Sequence, residues 1–402
     1  IAARHLCLQY EVIILEALSR LGGRINTIND EQSGLIIEAG AEFVHGEADE
    51  TIKLLKEAGI EFIKVEGEFY QKNDKGLRVQ EYADNGWEGM LKKMAAEEQD
   101  ITLREFLDTH YSEPEFHELC RRALTFAKGF DLADPDRVSV RSLYEEWSHQ
   151  SDDHRIKGGY ALLTGYLMAD CLKKGCRLVT NAEVKEISWN DSQVQLLTTD
   201  ESSYTADKCL LTVPLGVLQK RKLNFIPAID PYLEAADQIG FGTVIKVILT
   251  FNEKFWNADA GFFLSEESIP TWWTQLPEQI PVLTGWAAGS ELNDCSGEQI
   301  LEKALDSLSA IFDLSSPLLK EKLKTWHIFN WQQQETIQGA YSFNTPESKE
   351  ALKILNTPVS NRIYFAGEAL YSGIHPGTVE AAIISAQQVA GQLTDRAGYT
   401  AI

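Results

Sequence analysis

The N-terminal third of the chain shows a clear succession of hydrophobic and polar segments. Residues 1–9 have the pattern of the end of a helix, and residues 10–15, YEVIIL, have that of a buried strand. Residues 35–45 alternate between apolar and polar positions. They lead into a short helix predicted at 51–59, which ends with a glycine suited to a C-cap.

The rest of the chain first becomes helical and then mixes helices with strands. Residues 85–150 predict mostly helix, with a turn at Asp134-Pro135. From residue 158 onward, helix and strand alternate as in an α/β domain. Strands are expected at 177–180, 184–189, 194–199, 208–214, 243–251 and 362–367, with more between 261 and 290, and helices at about 298–312 and 378–393. This order predicts two domains, each assembled from separated segments.

Composition narrows the class of protein. A chain of 402 residues is long for one hydrophobic core. Its net charge of −23 argues against nucleic acid as a partner and weakly favours a cationic ligand. No apolar run reaches the length of a membrane span. The six cysteines are scattered, which predicts a reducing, cytoplasmic location, and no His or Cys pair has the spacing of metal ligands, so no metal is expected.

Two segments have features of a dinucleotide site. Glu16 ends the first strand, where a carboxylate accepts the hydroxyls of an adenosine ribose. The segment RLGGR at 20–24 brings paired glycines and Arg24 next to it, although for GGR alone a tight turn with a surface arginine is the favoured interpretation. Near the C-terminus, Glu368 follows a strand, and PGTVEAA at 376–382 begins a helix whose N-terminus favours an anion or a polarised carbonyl oxygen.

Lys246 is the most unusual side chain in the sequence, because it lies within the apolar strand TVIKVILTF. A buried lysine needs a partner or a depressed pKa. On alternation alone, a lysine on the solvent face of an amphipathic strand is the more common case. Aromatic residues at 326–343, with Trp272 and Trp273 upstream, are candidates for a wall that binds a cation or an alkyl chain, or for an ordinary core.

Taken in order, these segments resemble the flavin-containing amine oxidase family, which includes polyamine oxidases, monoamine oxidases and lysine-specific demethylases. The resemblance covers nearly the whole chain. It is carried by LEALSRLGGR (15–24), EAGAEFVHG (38–46), IKGGYALLTGYL (156–167), VTNAEVKEI (179–187), LLTVPLGVLQ (210–219), IGFGTVIKVILTF (239–251), GWAAG (285–289), a segment from Trp331 to Tyr341, and YFAGE with GTVEAA.

The resemblance implies a set of residues that bind FAD. Glu16 is expected at the adenosine ribose and Arg24 at the pyrophosphate. The backbone of Gly40 and Ala41 is expected beneath the flavin, and the main chain of Val184 at the adenine. The other expected contacts are Trp331, Glu368 at the pyrophosphate and ribitol, Thr378, and the N–H of Val379 at the flavin O2.

The resemblance also implies catalytic residues. Lys246 is expected to hold a water against the flavin N5, and Tyr341 and Thr378 to form opposite walls of a cage in front of the flavin. His45 occupies a position where polyamine oxidases have Glu or His near the entering amine. Ala340 stands where monoamine oxidases have the cysteine that binds flavin, so FAD is expected to be non-covalent.

The implied fold is α/β (α+β overall): a Rossmann-like FAD-binding domain at 1–65, 155–238 and 355–402, interleaved with a substrate domain at 66–154 and 239–354 made of a mixed sheet and a helical insert. The implied activity is FAD-dependent oxidation of a small-molecule amine, preferably a polyamine, with dioxygen as the oxidant and hydrogen peroxide as a product. The alternatives are an L-amino acid oxidase, another flavin oxidoreductase of this fold, or a non-catalytic scaffold.

Two features depart from the family pattern. Gln334-Glu335 replaces the usual Asp-Pro after the motif tryptophan. The first strand with its GxGxxG turn would precede Ile1, so the sequence is expected to begin part-way through that unit. Without that segment, weak binding of FAD is expected.

Overall fold

The computed structural model of the chain describes residues 1–73, 76–79, 86–149, 152–289 and 292–394. Residues 85 and 150, which end the predicted helical region, and the segment 395–402 of the predicted FAD-binding domain lie outside the described residues. Within the described residues, the structure mixes helices and strands throughout, so the α/β (α+β) class is confirmed.

The helices of the described residues are α1 (Ala2–Leu6), α2 (Asp49–Ala58), α3 (Trp87–Ala95), α4 (Leu103–His110), α5 (His117–Gly129), α6 (Val140–Trp147), α7 (Ala161–Lys173), α8 (Leu215–Gln219), α9 (Asp230–Gln238), α10 (Gly297–Phe312), α11 (Ser316–Lys322), α12 (Ser348–Leu355) and α13 (Val379–Leu393). Short 3-10 turns cover Pro114–Phe116, Trp331–Gln333 and Glu368–Leu370.

The strands are β1 (Ile13–Leu15), β2 (Thr27–Asp30), β3 (Leu35–Glu38), β4 (Phe43–Val44), β5 (Phe62–Lys64), β6 (Glu68–Asn73), β7 (Gly76–Val79), β8 (His154–Ile156), β9 (Arg177–Val179), β10 (Val184–Trp189), β11 (Val194–Thr198), β12 (Ser203–Ala206), β13 (Cys209–Leu211), β14 (Asn224–Ile226), β15 (Gly240–Phe241), β16 (Val244–Phe251), β17 (Ala260–Leu264), β18 (Thr271–Trp273), β19 (Val282–Ala288), β20 (Leu323–Asn330), β21 (Ser342–Phe343) and β22 (Ile363–Phe365).

The predicted strand at 10–15 is shorter and more exposed than expected. Only β1 is extended, Ile13 is 37% exposed, and the other two residues of β1 are half-buried. The prediction of a buried strand was wrong because β1 pairs in parallel with β9 while residues 10–16 line a large cavity. Among the described residues, β1 pairs with a strand on one side only. It is therefore not buried as a strand in the middle of a parallel sheet would be.

The part of the fold that contains β1 includes further strand pairs and helices. Strand β13 pairs in parallel with β22, and β10–β12 with β14 form a separate four-stranded sheet. Helix α13 packs against α1 and α2. The predicted helix at 51–59 is confirmed by α2, which ends at Gly59 in the left-handed conformation that a glycine C-cap favours.

A seven-stranded sheet forms the second main layer, in the order β20-β16-β19-β18-β17-β6-β7. Strand β16 lies between β19 and β20, and all eight of its residues are buried. One face of β16 packs into a core with α10 and α11 through Ile245, Val247 and Leu249. Lys246 therefore lies on the opposite face, which is also buried.

The predicted helical region forms a core of its own. Helices α3–α6 bury Met90, Phe106 and Leu143 against one another. Helix α4 begins with a capping box between Thr102 and Glu105, which satisfies N–H groups that the first turn leaves unpaired. No helix in the described ranges is both long and apolar enough to cross a membrane.

Candidate active site

A large cavity of about 2660 Å³ runs through the chain. Ordinary ligand pockets measure about 300–1,000 Å³. All the site residues predicted from the sequence line this cavity. They are Glu16, Arg24, Gly40, Ala41, His45, Val184, Lys246, Trp331, Tyr341, Glu368, Thr378 and Val379. Residues from both ends of the chain thus meet around one space, and their individual roles stay predictions.

The first loop of the cavity is held to the C-terminal segment by an ion pair. Gly22 and Gly23 have φ values of 102° and 57°, which glycine adopts without strain. The turn directs Arg24 so that its Nη1 donates to the Ala340 carbonyl at 2.7 Å and to Glu368 Oε1 at 2.6 Å. Glu16, at the end of β1, accepts from the Leu18 N–H at 2.9 Å.

Gly40 lies where two backbone segments cross closely. A Cβ at this position would come within 1.8 Å of the Arg24 carbonyl oxygen, so no larger residue fits without moving the backbone. The Ala41 N–H donates to the same carbonyl at 3.0 Å. Trp331 supports this crossing, because its Nε1 donates to the Ala39 carbonyl at 3.0 Å.

Glu368 and the start of α13 form the C-terminal wall. Glu368 is buried, and its Oε2 accepts from the hydroxyl and N–H of Ser342. Thr378 caps α13 by accepting from the Ala381 N–H at 3.1 Å. The N-terminus of this helix lines the cavity together with Val379, and its positive dipole end favours an anion or a carbonyl oxygen there. Val184 begins β10 on the other side of the cavity.

Lys246 is fully buried and bonded on two sides. Its Nζ donates to the Gly40 carbonyl at 3.0 Å and to Glu42 Oε2 at 2.7 Å. It also lies 5.5 Å from the centre of the Trp273 ring, a distance suited to a cation–π contact. The solvent-facing alternative for this lysine was wrong, because the opposite face of β16 is covered as well.

Glu42 joins Lys246 to a second buried cation. Its Oε1 lies 3.0 Å from Arg155 Nη2 and accepts from Trp273 Nε1 at 2.9 Å. Burial alone would raise the pKa of Glu42, but the charges of Lys246 and Arg155 outweigh it and lower that pKa to about 2. The carboxylate is therefore ionised at every physiological pH.

Aromatic rings form the wall next to this cluster. Tyr341 stacks on Trp286 with 6.4 Å between ring centres and 21° between planes, and Trp286 in turn lies 5.7 Å from Trp273. The Tyr341 hydroxyl donates to the Phe130 carbonyl at 2.5 Å. Burial raises the pKa of Tyr341, so its hydroxyl keeps its proton. Thr378 directs its own hydroxyl into the α13 cap, while Gly377 lies against Tyr341.

Two carboxyl groups lie beside Tyr341 in the same wall. Asp131 follows Phe130, is buried, and accepts from Trp147 Nε1 at 3.0 Å. Burial and the neighbouring charge of Glu146 raise the pKa of Asp131, and burial also raises the pKa of Glu146. Two like charges side by side disfavour each other, and the charge of His45 partly offsets this at Glu146.

His45 stands near this carboxyl pair with 53% of its side chain accessible within the cavity. Its Nδ1 lies 3.1 Å from Asp153 Oδ1. Burial on its own lowers the pKa of His45, but the hydrogen bond and charge of Asp153, with the charge of Glu146, raise it overall. His45 thus gains positive charge more readily than a free histidine.

Comparison with known proteins assigns this arrangement to a family. Residues 1–394 match the family described as flavin containing amine oxidoreductase. The chain belongs to this family. The match confirms the expected class of enzyme, a flavin amine oxidase, and the expected cofactor, FAD.

Two kinds of curated relatives cover most of this amine oxidoreductase. Lysine-specific histone demethylase 1B of Mus musculus is 28% identical over 426 residues, which cover 95% of this chain and 50% of the relative. Polyamine oxidase 4 of Oryza sativa subsp. japonica is 26% identical over 439 residues, which cover 96% of this chain and 84% of the relative. The chain therefore spans about half the length of the first of these relatives, the demethylase.

Solved structures share the fold of the oxidoreductase. Putrescine oxidase bound to putrescine superposes with a TM-score of 0.82 at 18% identity, covering 98% of this chain and 96% of that chain. Cyclohexylamine oxidase from Brevibacterium oxydans gives 0.80, also at 18% identity and with the same coverage. These similarities confirm the predicted fold class.

Several residues of the site were missed by sequence reasoning. They are Glu42, Asp131, Glu146, Arg155 and Trp286. Four of these side chains are charged residues in segments whose pattern gives no sign of burial. One signal was available: a lysine within a buried strand requires a carboxylate partner, and Glu42 lies in the quoted segment EAGAEFVHG. Its partner is 204 positions away, and the pattern does not reveal that contact.

Proposed function

We propose that this amine oxidoreductase oxidises amines that carry a second cationic nitrogen, of the polyamine type, and releases hydrogen peroxide. The observation that carries this proposal is the carboxyl pair Asp131 and Glu146 beside the aromatic wall. A carboxyl pair whose joint ionisation is disfavoured ionises more readily when an ammonium group approaches, and so it favours a substrate with a cation at this part of the cavity. An acidic chain with net charge −23 also attracts such substrates.

The residues present fit FAD. The cavity is several times larger than an ordinary ligand pocket, so it has room for a long dinucleotide and a substrate. Glu16 at the end of β1 would hold the adenosine ribose, and the N-terminus of α13 at Val379 would face a carbonyl of the flavin. Arg24 has donors at Nε and Nη2 beyond the two bonds of Nη1, so it could bind pyrophosphate while paired with Glu368. Ala340 supports non-covalent binding.

The chemistry of the proposed reaction divides between cofactor and protein. Bound FAD would supply the two-electron oxidation, in which the hydrogen of the α-carbon is removed with two electrons and dioxygen is then reduced to hydrogen peroxide. The amine, having also lost its N–H proton, becomes an imine, and water cleaves the imine to an aldehyde and a smaller amine or ammonia. The chain's own part is to orient the α-carbon against the aromatic wall at Tyr341, bind the distal ammonium at Asp131, and keep Lys246 charged at the cavity wall.

The predicted division into two domains is supported by the origin of these residues, and we propose it as stated. The residues assigned to FAD come almost all from 1–65, 155–238 and 355–402, with Trp331 as the exception. Lys246, Tyr341, Asp131 and Glu146 come from 66–154 and 239–354. The six cysteines are free thiols, which fits a cytoplasmic location.

A second candidate substrate is a methylated lysine side chain of a peptide. The similarity to demethylases over 95% of the chain favours it, and such a side chain is also a cationic amine. An L-amino acid is less well supported. Among the described residues that line the cavity, the only arginine is Arg24, and it is paired with Glu368.

A substrate panel tests the proposal with the full-length protein loaded with FAD. Spermine, spermidine, an acetylated polyamine, a monoamine, a methyl-lysine peptide and an L-amino acid are compared by peroxide release. We expect kcat/KM for spermidine to exceed that for the monoamine at least tenfold, about 1.4 kcal/mol. Preference for the peptide would replace the proposed substrate, and turnover that requires a carboxylate, or a colourless protein, would contradict the proposal.

A further inference from the structure

We infer that Glu42 is a positioning residue for Lys246: it holds the ammonium group charged and oriented toward the cavity, and Arg155 holds Glu42. This inference rests on the proposed function only in taking the cavity wall at Lys246 as the place where reduced flavin meets dioxygen. The contacts that carry it come from three separated segments: the loop before β4, strand β8 and strand β16.

The hydrogen bonds of Lys246 leave one donor for the cavity. An ammonium group has three N–H bonds. Two of them go to the Gly40 carbonyl and to Glu42 Oε2, and among the described residues no third acceptor is hydrogen-bonded to it. Lys246 is among the residues that line the cavity, so the remaining donor is the N–H that a group bound there could use. Glu42 thereby determines the direction of that donor.

Glu42 is itself fixed from the other side. Its Oε1 accepts from Trp273 Nε1 at 2.9 Å and from Gln275 Nε2 at 3.2 Å, and it lies 3.0 Å from Arg155 Nη2. Arg155 donates to the carbonyls of Leu276 and Thr274, both at 2.8 Å. The carboxylate therefore has no freedom to turn away from Lys246 without breaking several buried bonds.

The charge balance of Lys246 and Arg155 depends on the Glu42 carboxylate between them. Lys246 and Arg155 contribute two positive charges and Glu42 one negative charge, and all three side chains are more than nine-tenths buried. Removing the carboxylate leaves two buried cations side by side, which is strongly unfavourable. Arginine does not release its proton in proteins, so Lys246 is the group that would lose its proton.

Three more titratable groups act on the cluster: Glu278 and Asp153 on Arg155, and Glu38 next to Lys246 and Glu42. Glu38, in β3, accepts from the Tyr160 N–H at 2.6 Å and from the Thr27 hydroxyl. Burial raises the pKa of Glu38 to about 7, the charge of Lys246 partly opposes this, and Glu42 adds to it. A pH profile near neutrality therefore includes Glu38, and Glu38→Gln provides the background in which Glu42 is tested.

The test compares Glu42→Gln with Asp30→Asn, both in the Glu38→Gln background. Asp30 is a matched control: it is a buried carboxylate bonded to Ser33 and Thr325 and does not line the cavity. The first readout needs no flavin: NMR of 13Cε-labelled lysine, with the Lys246 signal assigned by Lys246→Met. At the same pH, we expect the Lys246 signal of the background protein and of Asp30→Asn to be that of an ammonium group, and that of Glu42→Gln to be that of a neutral amine.

The second readout is reoxidation of the reduced flavin by dioxygen in the loaded, full-length protein. We expect Glu42→Gln to slow reoxidation about tenfold or more at high pH, and the rate to recover as pH falls. Anaerobic reduction of the flavin by the amine should change less. In Asp30→Asn both rates should equal those of the background protein. If Glu42→Gln does not fold, the double variant Glu42→Gln/Arg155→Gln leaves one buried cation instead of two. In this double variant Lys246 should keep its proton to a higher pH than in a variant that changes Glu42 alone. Glu42→Ala, or another single variant that folds, provides that comparison.

The two readouts separate failure of this inference from failure of the proposed function. An unchanged Lys246 signal in Glu42→Gln or Glu42→Ala, or a reoxidation rate with an unchanged pH profile, would overturn the inference. A parent protein that oxidises no amine would overturn the proposed function, while the NMR titration would still report whether Glu42 controls the charge of Lys246.

Discussion

Two charged clusters line the same cavity, and they are built in opposite ways. In the first, Glu42 lies between Lys246 and Arg155, and these cations lower its pKa to about 2 despite burial. In the second, Asp131 and Glu146 face each other, and burial raises the pKa of both. The first cluster contains permanent counter-charges, whereas the cation that acts on the second among the described residues is the titratable His45. The first cluster therefore maintains a fixed charge, and the second is suited to accept the charge of a ligand.

The largest expected difference between the clusters is in stability. Glu42→Gln leaves two buried cations without their carboxylate and should lower the free energy of unfolding by about 3–5 kcal/mol. Glu146→Gln relieves the repulsion within a carboxyl pair and should change it little. Urea denaturation at neutral pH measures both variants. Equal losses of stability would show that the two clusters do not differ in the way described.

Lys246→Met should give the largest kinetic effect. The substitution leaves Glu42 and Arg155 as a balanced pair, so the fold should tolerate it better than Glu42→Gln. Reoxidation of the reduced flavin should slow by about 100-fold, the range seen when a positioned acid or base is removed. Stopped-flow mixing with dioxygen measures the rate. An unchanged rate would remove Lys246 from the oxidative step.

The second cluster should control affinity for the distal cation. Asp131→Asn should raise KM for spermidine about tenfold, roughly 1.4 kcal/mol, because a neutral amide no longer balances the ammonium charge. KM for a monoamine of similar apolar length should stay within about twofold, since it has no second charge. An equal rise for both amines would indicate a general distortion of the cavity instead of recognition of a cation.

The pH dependence of stability should show Glu38 directly. Its pKa is raised to about 7, so between the unfolded value of about 4.3 and about 7 the folded state holds a proton that the unfolded state has released. The free energy of unfolding should therefore fall as pH rises through this window. In Glu38→Gln this fall should be smaller. The midpoints of urea denaturation are measured for both proteins at about pH 5 and about pH 7. An equal change of midpoint with pH in parent and variant would contradict the prediction.

The smallest effect is expected at His45. Asp153 raises the pKa of this histidine against the effect of burial, so Asp153→Asn should lower that pKa. The pH profile of KM for spermidine should shift toward acid by less than about one pH unit, the size of effect typical of one accessible partner. A profile that does not move would show that His45 does not act on the entering substrate.

Sequence patterns predicted the elements of this fold well where packing is local. The predicted helices around α2, α10 and α13 are confirmed within one or two residues, and strand β16 is confirmed at 244–251. The strand at 10–15 was less well predicted, because its burial depends on neighbours that the local pattern does not specify. Hydrophobic periodicity reports which face of an element is covered, and it does not identify what covers it.

The site was predictable where one residue type is out of place in its surroundings. Lys246 could be found because a charge interrupts an apolar strand, and Gly40 because the resemblance marked it. Glu42 and Arg155 were missed because their partners lie more than a hundred positions away. Asp131 and Glu146 were missed because, in a mostly helical segment, acidic residues usually form a solvated face. In the structure Asp131, which follows α5, is buried, Glu146 of α6 is half-buried, and both line the cavity.

Recognition of a second positive charge on the amine can be tested with a single ratio. The ratio of kcat/KM for spermidine to kcat/KM for a monoamine of matched length is measured in the FAD-loaded, full-length parent and in Asp131→Asn/Glu146→Gln. We expect a ratio of at least about ten in the parent that falls to about one in the double variant. A ratio that is the same in both proteins would show that the carboxyl pair does not recognise the second charge.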